Sequence, residues 1–174
     1  MQRRTMAATV GVAAGMLFTA VPRAQGTPPV PLKGKPPAEA AVTLLARGEQ
    51  VAGKGSWERI AIGAVHYEGG DKAKGEAIFK SVLEGKPEWS DYQRIGRLYA
   101  DLGEWEKARP LFDKAMAMKR RASLWAEAGA WYYLNGDHDK GEALFEQALA
   151  IESDDPWAHA MAAGAYLGKK PRYW

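Results

Sequence analysis

Few residues of this 174-residue chain have the types and spacing that catalysis or metal binding requires. Cysteine is absent, so thiolate metal sites, thiol nucleophiles, disulfides and lipidated cysteines are excluded. His66, His138 and His159 stand far apart in the sequence. The run Asp137-His138-Asp139 could supply metal ligands, but neighbouring residues at a helix start do not face one point, so we interpret it as a solvated helix start. We therefore expect no catalytic residues, no metal site and no cofactor, and the chain is not predicted to be an enzyme.

Two arginines offer binding chemistry instead. Arg94 and Arg97 are three residues apart, so on a helix they share a face and could hold a carboxylate or an acidic segment. The alternative is that they pair with Asp101 and Glu127 and only keep the surface soluble. The chain also contains seven Trp and seven Tyr, residue types that anchor many interfaces. Together these features favour a protein or peptide partner.

The basic composition does not identify that partner. The chain has 24 Lys and Arg against 21 Asp and Glu. The three surplus positive charges, Arg3, Arg4 and Arg23, lie in the first 26 residues, where there is no acid. Because the rest of the chain is balanced in charge, nucleic acid is not an expected partner.

Residues 1–26 have the pattern of a secretory signal peptide. Arg3 and Arg4 precede the uncharged stretch Met6 to Val21, and small residues follow it. The alternative is an uncleaved membrane anchor, but the stretch is shorter than the roughly 20 apolar residues that span a bilayer. We expect a periplasmic protein without a membrane span after signal removal, exported by the general secretory route or, as the weaker alternative, the twin-arginine route. Five prolines in residues 27–37 predict an extended linker.

From residue 38 onward the sequence repeats. Phe79, Phe112 and Phe145 are each 33 residues apart, as are three glycines that each precede an acid: Gly70, Gly103 and Gly136. Such a period is typical of stacked helical hairpins. The pattern predicts no strands and eight helices, near 38–52, 56–69, 72–85, 89–102, 105–118, 122–135, 138–151 and 156–167.

The repeated residues resemble the tetratricopeptide repeat family. The family pattern is most complete in the second unit, at Tyr92, Ile95, Gly96, Tyr99, Ala108 and Phe112. It recurs at Gly63 and Phe79 in the first unit, at Gly129, Tyr132 and Phe145 in the third, and a partial fourth follows. The resemblance implies an all-α, right-handed solenoid of antiparallel helix hairpins over residues 38–174. Gly75 and Gly141 stand where the family has Ala, and Gly within a helix costs about 0.5 to 1 kcal/mol relative to Ala.

The resemblance also implies a concave groove, walled by the first helix of each unit, that holds a protein or peptide. The family's groove positions fall here on Trp57, Tyr67, Gln93, Arg94, Arg97, Asp101, Glu127, Tyr133, His159 and Tyr166. The four aromatic side chains among them are expected to give apolar contact, and the two arginines to set charge preference. The clamp that some relatives close on an acidic chaperone terminus is not expected. Its places are Ile60, Ala64, Arg97, Ser123 and Glu127, which include one cation.

These observations predict an exported adaptor or assembly factor. The alternative is a structural module that self-assembles through its repeat ends into a homo-oligomer. The basic, aromatic run from Gly168 to Trp174 is interpreted as a frayed tail rather than a docking segment.

Overall fold

Eight helices and no strand make up residues 31–172, the part of the chain that the computed structural model describes. The helices are α1 (Pro37–Ala52), α2 (Ser56–Glu68), α3 (Lys72–Leu83), α4 (Trp89–Asp101), α5 (Trp105–Met118), α6 (Ala122–Leu134), α7 (His138–Ile151) and α8 (Pro156–Tyr166). The predicted all-α helical solenoid is confirmed, with every helix end within two residues of its expected place. The expected signal peptide, residues 1–26, and linker residues 27–30 lie outside the described residues.

Three antiparallel hairpins repeat along the chain: α2 with α3, α4 with α5, and α6 with α7. The first helices α2, α4 and α6 begin 33 residues apart, and so do the second helices. Helix α8 then packs against α6 as the first helix of a further unit. Helix α1 lies before the first hairpin, and none of its residues is buried. Within residues 31–172, no helix is long and apolar enough to cross a bilayer.

The turn of each hairpin depends on a glycine. Gly70, Gly103 and Gly136 have φ angles of 100°, 76° and 94°, a left-handed conformation that L side chains rarely adopt. The acid that follows begins the second helix: Asp71 and Asp137 each accept a hydrogen bond from the backbone N–H of the third residue on. The sequence motif of Gly and acid therefore marks both the end of one helix and the cap of the next.

A second set of glycines sets the distance between paired helices. A Cβ atom built on Gly63 would lie 2.7 Å from the ring of Phe79, and one on Gly129 would lie 2.9 Å from Phe145. Gly96 has more room, with its nearest neighbour at 3.3 Å. A small residue is therefore needed at Gly63 and Gly129, where the two helices approach closely.

The structure also explains why glycine replaces the family's alanine at Gly75 and Gly141. A Cβ on Gly75 would lie 2.7 Å from the carbonyl oxygen of Gly63, and one on Gly141 would lie 2.9 Å from that of Gly129. The close contact is with backbone, which cannot move aside as a flexible side chain could. In these two hairpins the facing glycines bring the helices into closer contact, so the propensity cost expected from the sequence is offset by packing.

Aromatic triads fill the junctions between successive hairpins. Tyr67 and Phe79 of the first hairpin meet Tyr99 of the second, with ring centroids 5.4 to 6.1 Å apart. At the next junction Trp105 contacts both Phe112 and Tyr132, and at the third Tyr133 and Phe145 meet Tyr166. An aromatic cluster therefore stands at each of the three junctions, and each cluster contains one of the repeated Phe residues.

A lysine near the start of each second helix reaches back to the preceding element. The Nζ of Lys74 lies 2.9 Å from a carboxylate oxygen of Glu49 in α1, and that of Lys107 lies 2.7 Å from Glu76 in α3. The Nζ of Lys140 lies 3.3 Å from Asp113 in α5. We call Lys74, Lys107 and Lys140 the ladder lysines. They occupy equivalent places in the three hairpins, so each hairpin is tied to the element before it.

Around the second ladder lysine the polar contacts form a network. The hydroxyl of Tyr67 donates to Glu104 over 2.5 Å and accepts from Lys107 over 2.9 Å, while Lys72 donates to Glu104 over 2.7 Å. The hydrogen bonds from Lys72 and then from Tyr67 hold the pKa of Glu104 at about 2. Because Tyr67 and Lys72 belong to the first hairpin and Glu104 and Lys107 to the second, the network joins the hairpins.

Candidate binding groove

The first helices of three successive hairpins line one cleft of about 450 Å³. Residues of α2, α4 and α6, together with the residue before α4 and the residue before α6, form its walls. We call it the arginine cleft, and its lining residues are Trp57, Glu88, Trp89, Ser90, Gln93, Arg94, Arg97, Arg121 and Ser123. The cleft lies at the amino-terminal ends of α4 and α6, where backbone N–H groups leave a positive partial charge.

Arg94 stacks on Trp57 across the cleft. The guanidinium carbon of Arg94 lies 3.6 Å from the centroid of the Trp57 ring. This is a close cation–π contact, and it covers one face of the guanidinium. Trp57 is 52% exposed, so the indole is open to a partner.

Arg97 has a different role because it pairs with a buried acid. Its Nε and Nη2 atoms donate to the two carboxylate oxygens of Glu127 over 2.5 and 2.7 Å, and the amide of Gln93 donates to Glu127 over 2.5 Å. Glu127 is fully buried. A buried carboxylate needs such partners, so this contact is primarily structural. Of the two alternatives predicted for the arginines, pairing with Glu127 holds for Arg97, whereas Arg94, which also lines the cleft, stacks on Trp57.

Three of the four expected aromatic anchors lie elsewhere. Tyr67 is buried, and Tyr133 and Tyr166 pack against each other with ring centroids 5.0 Å apart. All three belong to the junction triads rather than to the arginine cleft. The reason is geometric: these side chains face the second helix of their own or the preceding hairpin, so their rings complete the packing between units. Trp57 is the expected anchor that lines the cleft.

Residues 92–123, which run from α4 through α5 to the second residue of α6, match the family model of the tetratricopeptide repeat. The chain contains a tetratricopeptide repeat. No curated protein matches the chain significantly. The matched unit carries Gln93, Arg94, Arg97 and Arg121, so the cleft's arginines all lie within it. Such repeats generally mediate contacts between proteins.

At the other end of this tetratricopeptide repeat's first helix, Asp101 contacts the C-terminal segment. The Nζ of Lys170 donates to the carbonyl oxygen of Asp101 over 2.8 Å, lies 3.8 Å from its carboxylate, and lies 5.7 Å from the centroid of the Trp131 ring. Pro171 is buried. The interpretation of residues 168–172 as a frayed tail is therefore wrong: they return along the solenoid, and a cation, an acid and an aromatic ring hold them there.

The histidines occupy three separate places. His66 lies 2.9 Å from Glu49 and joins α1 to α2, while His138 stacks on Tyr133 with ring centroids 4.3 Å apart. His159, expected in the groove, bonds through Nδ1 to the backbone oxygen of Asp155, the residue that precedes its own helix. Over residues 31–172, no group of three or more His, Asp or Glu side chains is arranged to hold a metal ion.

The sequence interpretation did not place Trp89 and Arg121 in the groove, nor three smaller or acidic lining residues, Glu88, Ser90 and Ser123. Trp89 is the first residue of α4, and Arg121 immediately precedes α6. The guanidinium carbon of Arg121 lies 5.8 Å from the centroid of Trp89, which repeats on a second wall the pairing of an arginine with a tryptophan. Both residues stand at helix starts, just outside the positions that a tetratricopeptide groove normally uses, so the family pattern could not point to them.

Proposed function

We propose that this protein is an exported adaptor or assembly factor that holds a segment of another protein in the arginine cleft. The supporting observation is the cleft itself, because first helices of three successive hairpins converge on it and it contains the half-exposed Trp57. Exposed aromatic residues in a recess are the anchors of many protein interfaces. Its place within a tetratricopeptide repeat supports the same function.

The proposal is tested by comparing two variants of one helix. Trp57 and Val65 both lie in α2 and are each 52% exposed, but only Trp57 lines the cleft. The chain from residue 27 onward, as wild type, Trp57→Ala or Val65→Ala, is immobilised and exposed to an envelope extract of the source organism. We expect at least one protein to be retained by wild type and by Val65→Ala and to be lost with Trp57→Ala. Equal retention by all three forms would contradict the assignment of the cleft.

Export is proposed from residues 1–26, whose pattern is that of a signal peptide. A fusion of these residues to an alkaline phosphatase lacking its own signal should be active, because that enzyme folds only outside the cytoplasm. Changing Arg3 and Arg4 to Lys separates the two routes, since the twin-arginine route requires the arginine pair. An inactive fusion would refute export by the general secretory route.

Self-assembly through the repeat ends is the second candidate. It is supported by exposed apolar side chains at both ends of the solenoid, Val42 and Val51 on α1 and Leu167 after α8. Light scattering at tens of micromolar distinguishes it from the adaptor. A mass above that of one chain would favour self-assembly, and a strict monomer would exclude it as the main function.

A further inference from the structure

We propose that the arginine cleft binds the side-chain carboxylates of an acidic segment in its protein partner. This rests on the proposed function, in which the cleft holds a protein segment, and it adds the chemistry of that segment.

The first argument is the charge of the walls. Arg97 is matched by the buried Glu127. Arg94 and Arg121 have no ion pair with any residue between 31 and 172. The remaining acid of the lining is Glu88, whose backbone N–H donates to the carboxylate of Asp91 over 2.9 Å at the start of α4. Two arginines therefore exceed the acids available to them, and the amino-terminal ends of α4 and α6 add to the positive potential.

The second argument is the orientation of Arg94. Because Trp57 covers one face of its guanidinium, an incoming ligand must approach the edge, where the N–H donors point. The Nε atom of Arg94 is buried and has no acceptor in the described part of the chain, and the same is true of Ser90 Oγ at the cleft wall. A guanidinium fixed in one plane can donate to both oxygens of a carboxylate, so it should bind a carboxylate more strongly than it binds an uncharged group.

The third argument limits where the acidic residues can lie. At the opposite end of α4, Asp101 already has the chain's own Lys170 beside it, with 3.8 Å between the Nζ atom and the carboxylate. The arginines without an acidic partner therefore stand at the end near Arg94, and an acidic stretch is complementary to that end. Trp57 and Trp89 flank the cleft, so an apolar residue beside the acids would have surface to pack against.

The test uses fluorescein-labelled, C-terminally amidated peptides of about ten residues with the full chain from residue 27 onward. One peptide carries four Asp or Glu around a Phe, and a second has Asn and Gln in their place. By fluorescence polarisation we expect the acidic peptide to bind about tenfold more tightly than the amide peptide, because charge-assisted hydrogen bonds are the stronger kind. Affinity should fall as NaCl rises from about 50 to about 300 mM. Equal affinities, or no binding of either peptide, would overturn the proposal.

Variants locate the binding site. Arg94→Gln and Arg121→Gln should each weaken binding of the acidic peptide by about fivefold or more, the effect expected when one charged hydrogen-bond donor is lost. Arg109→Gln is the matched control, because Arg109 is exposed on α5 and pairs with Glu106 outside the cleft. Arg121 is exposed, so its replacement does not endanger the fold even if Arg94→Gln lowers stability. Wild-type affinity in both cleft variants would overturn the proposal.

A third peptide separates the two sources of a carboxylate. It has the Asn and Gln sequence with a free C-terminus instead of the amide. Strong binding of this peptide alone would show that the cleft recognises a chain terminus and would overturn the assignment to acidic side chains. Failure of the inference is distinct from failure of the proposed function: if the acidic preference is absent while Trp57→Ala still loses its captured partner, the cleft binds proteins but not through acidic residues.

Discussion

Replacing Arg97 with Ala should lower the free energy of unfolding, whereas the same change at Arg94 should hardly affect it. The two residues lie on one helix three positions apart, and both line the cleft. Arg97 donates two hydrogen bonds to the fully buried Glu127, while Arg94 stacks on a half-exposed ring. The pair of variants therefore compares one chemical change in two environments.

The size of the destabilisation by Arg97→Ala follows from the carboxylate of Glu127 that remains buried. Without Arg97, a buried carboxylate keeps the amide of Gln93 but loses its cationic partner, and breaking a buried ion pair costs about 3 to 5 kcal/mol. The Arg97 side chain is 29% exposed, so water can partly replace it, and we expect the lower value of about 3 kcal/mol. In a domain of this size that corresponds to a fall in Tm of roughly 10 °C. Arg94→Ala should cost less than about 1 kcal/mol, the range of an exposed cation–π contact.

Urea denaturation followed by circular dichroism measures both variants. We expect Arg97→Ala to lower the midpoint without changing the m value, because the surface exposed on unfolding stays the same. The double variant Arg97→Ala/Glu127→Leu should recover part of the loss, since it removes the uncompensated charge. A midpoint for Arg97→Ala equal to that of Arg94→Ala would refute the structural role of the pair with Glu127.

Three further results are expected. Gly75→Ala should lower the free energy of unfolding by about 1 to 2 kcal/mol despite the better helix propensity of Ala, because the added Cβ meets backbone. Gly164→Ala in α8 should stabilise the protein instead, because the nearest neighbour of the added Cβ lies at 3.7 Å. Equal urea midpoints for the two variants would refute this reasoning. Because the pKa of Glu104 is lowered in the folded state, its carboxylate stabilises the fold at pH values above the unfolded pKa near 4.5, and this contribution is lost as the pH falls toward about 2. Glu104→Gln should therefore lower the free energy of unfolding at pH 7 and flatten the decline of stability in acid. Parallel stability profiles of wild type and variant against pH would count against this prediction. Lys170→Ala should speed hydrogen exchange in residues 168–172, while Lys169→Ala should not; unchanged exchange in both would show that the contact with the solenoid does not hold this segment.

The fold could be predicted because its determinants are local and repeated. Gly70, Gly103 and Gly136 end helices at fixed intervals, since a left-handed residue stops a helix and glycine adopts that conformation without strain. The spacing of Phe79 and Phe112 marks the hairpin interior in the same way. Each such residue predicts a turn or a packed face within its own unit, so the errors in helix ends stay small.

The cleft could be predicted only in part because it depends on contacts between units. The partner of Arg97 is Glu127, which lies 30 residues away, and pairing was one of two alternatives that the sequence left open. The large rings of Tyr67 and Tyr166 were assigned to the groove by their place in the family pattern, but they reach into the junction with the neighbouring hairpin. Arg121 stands before its helix, where no periodicity applies, and only the approach of α6 to α4 brings it to the cleft.

The ladder lysines determine how a mechanical force is transmitted along the chain. Each one pairs with a carboxylate of α1 or of the hairpin directly before its own, so energetic coupling in this array is between neighbouring units. Helix α1, with no buried residue, is attached by the first of these grips and by His66. Pulling on the amino-terminal end should therefore peel α1 away first and leave the hairpins behind it intact, so that a load applied from that side is absorbed before it reaches the arginines.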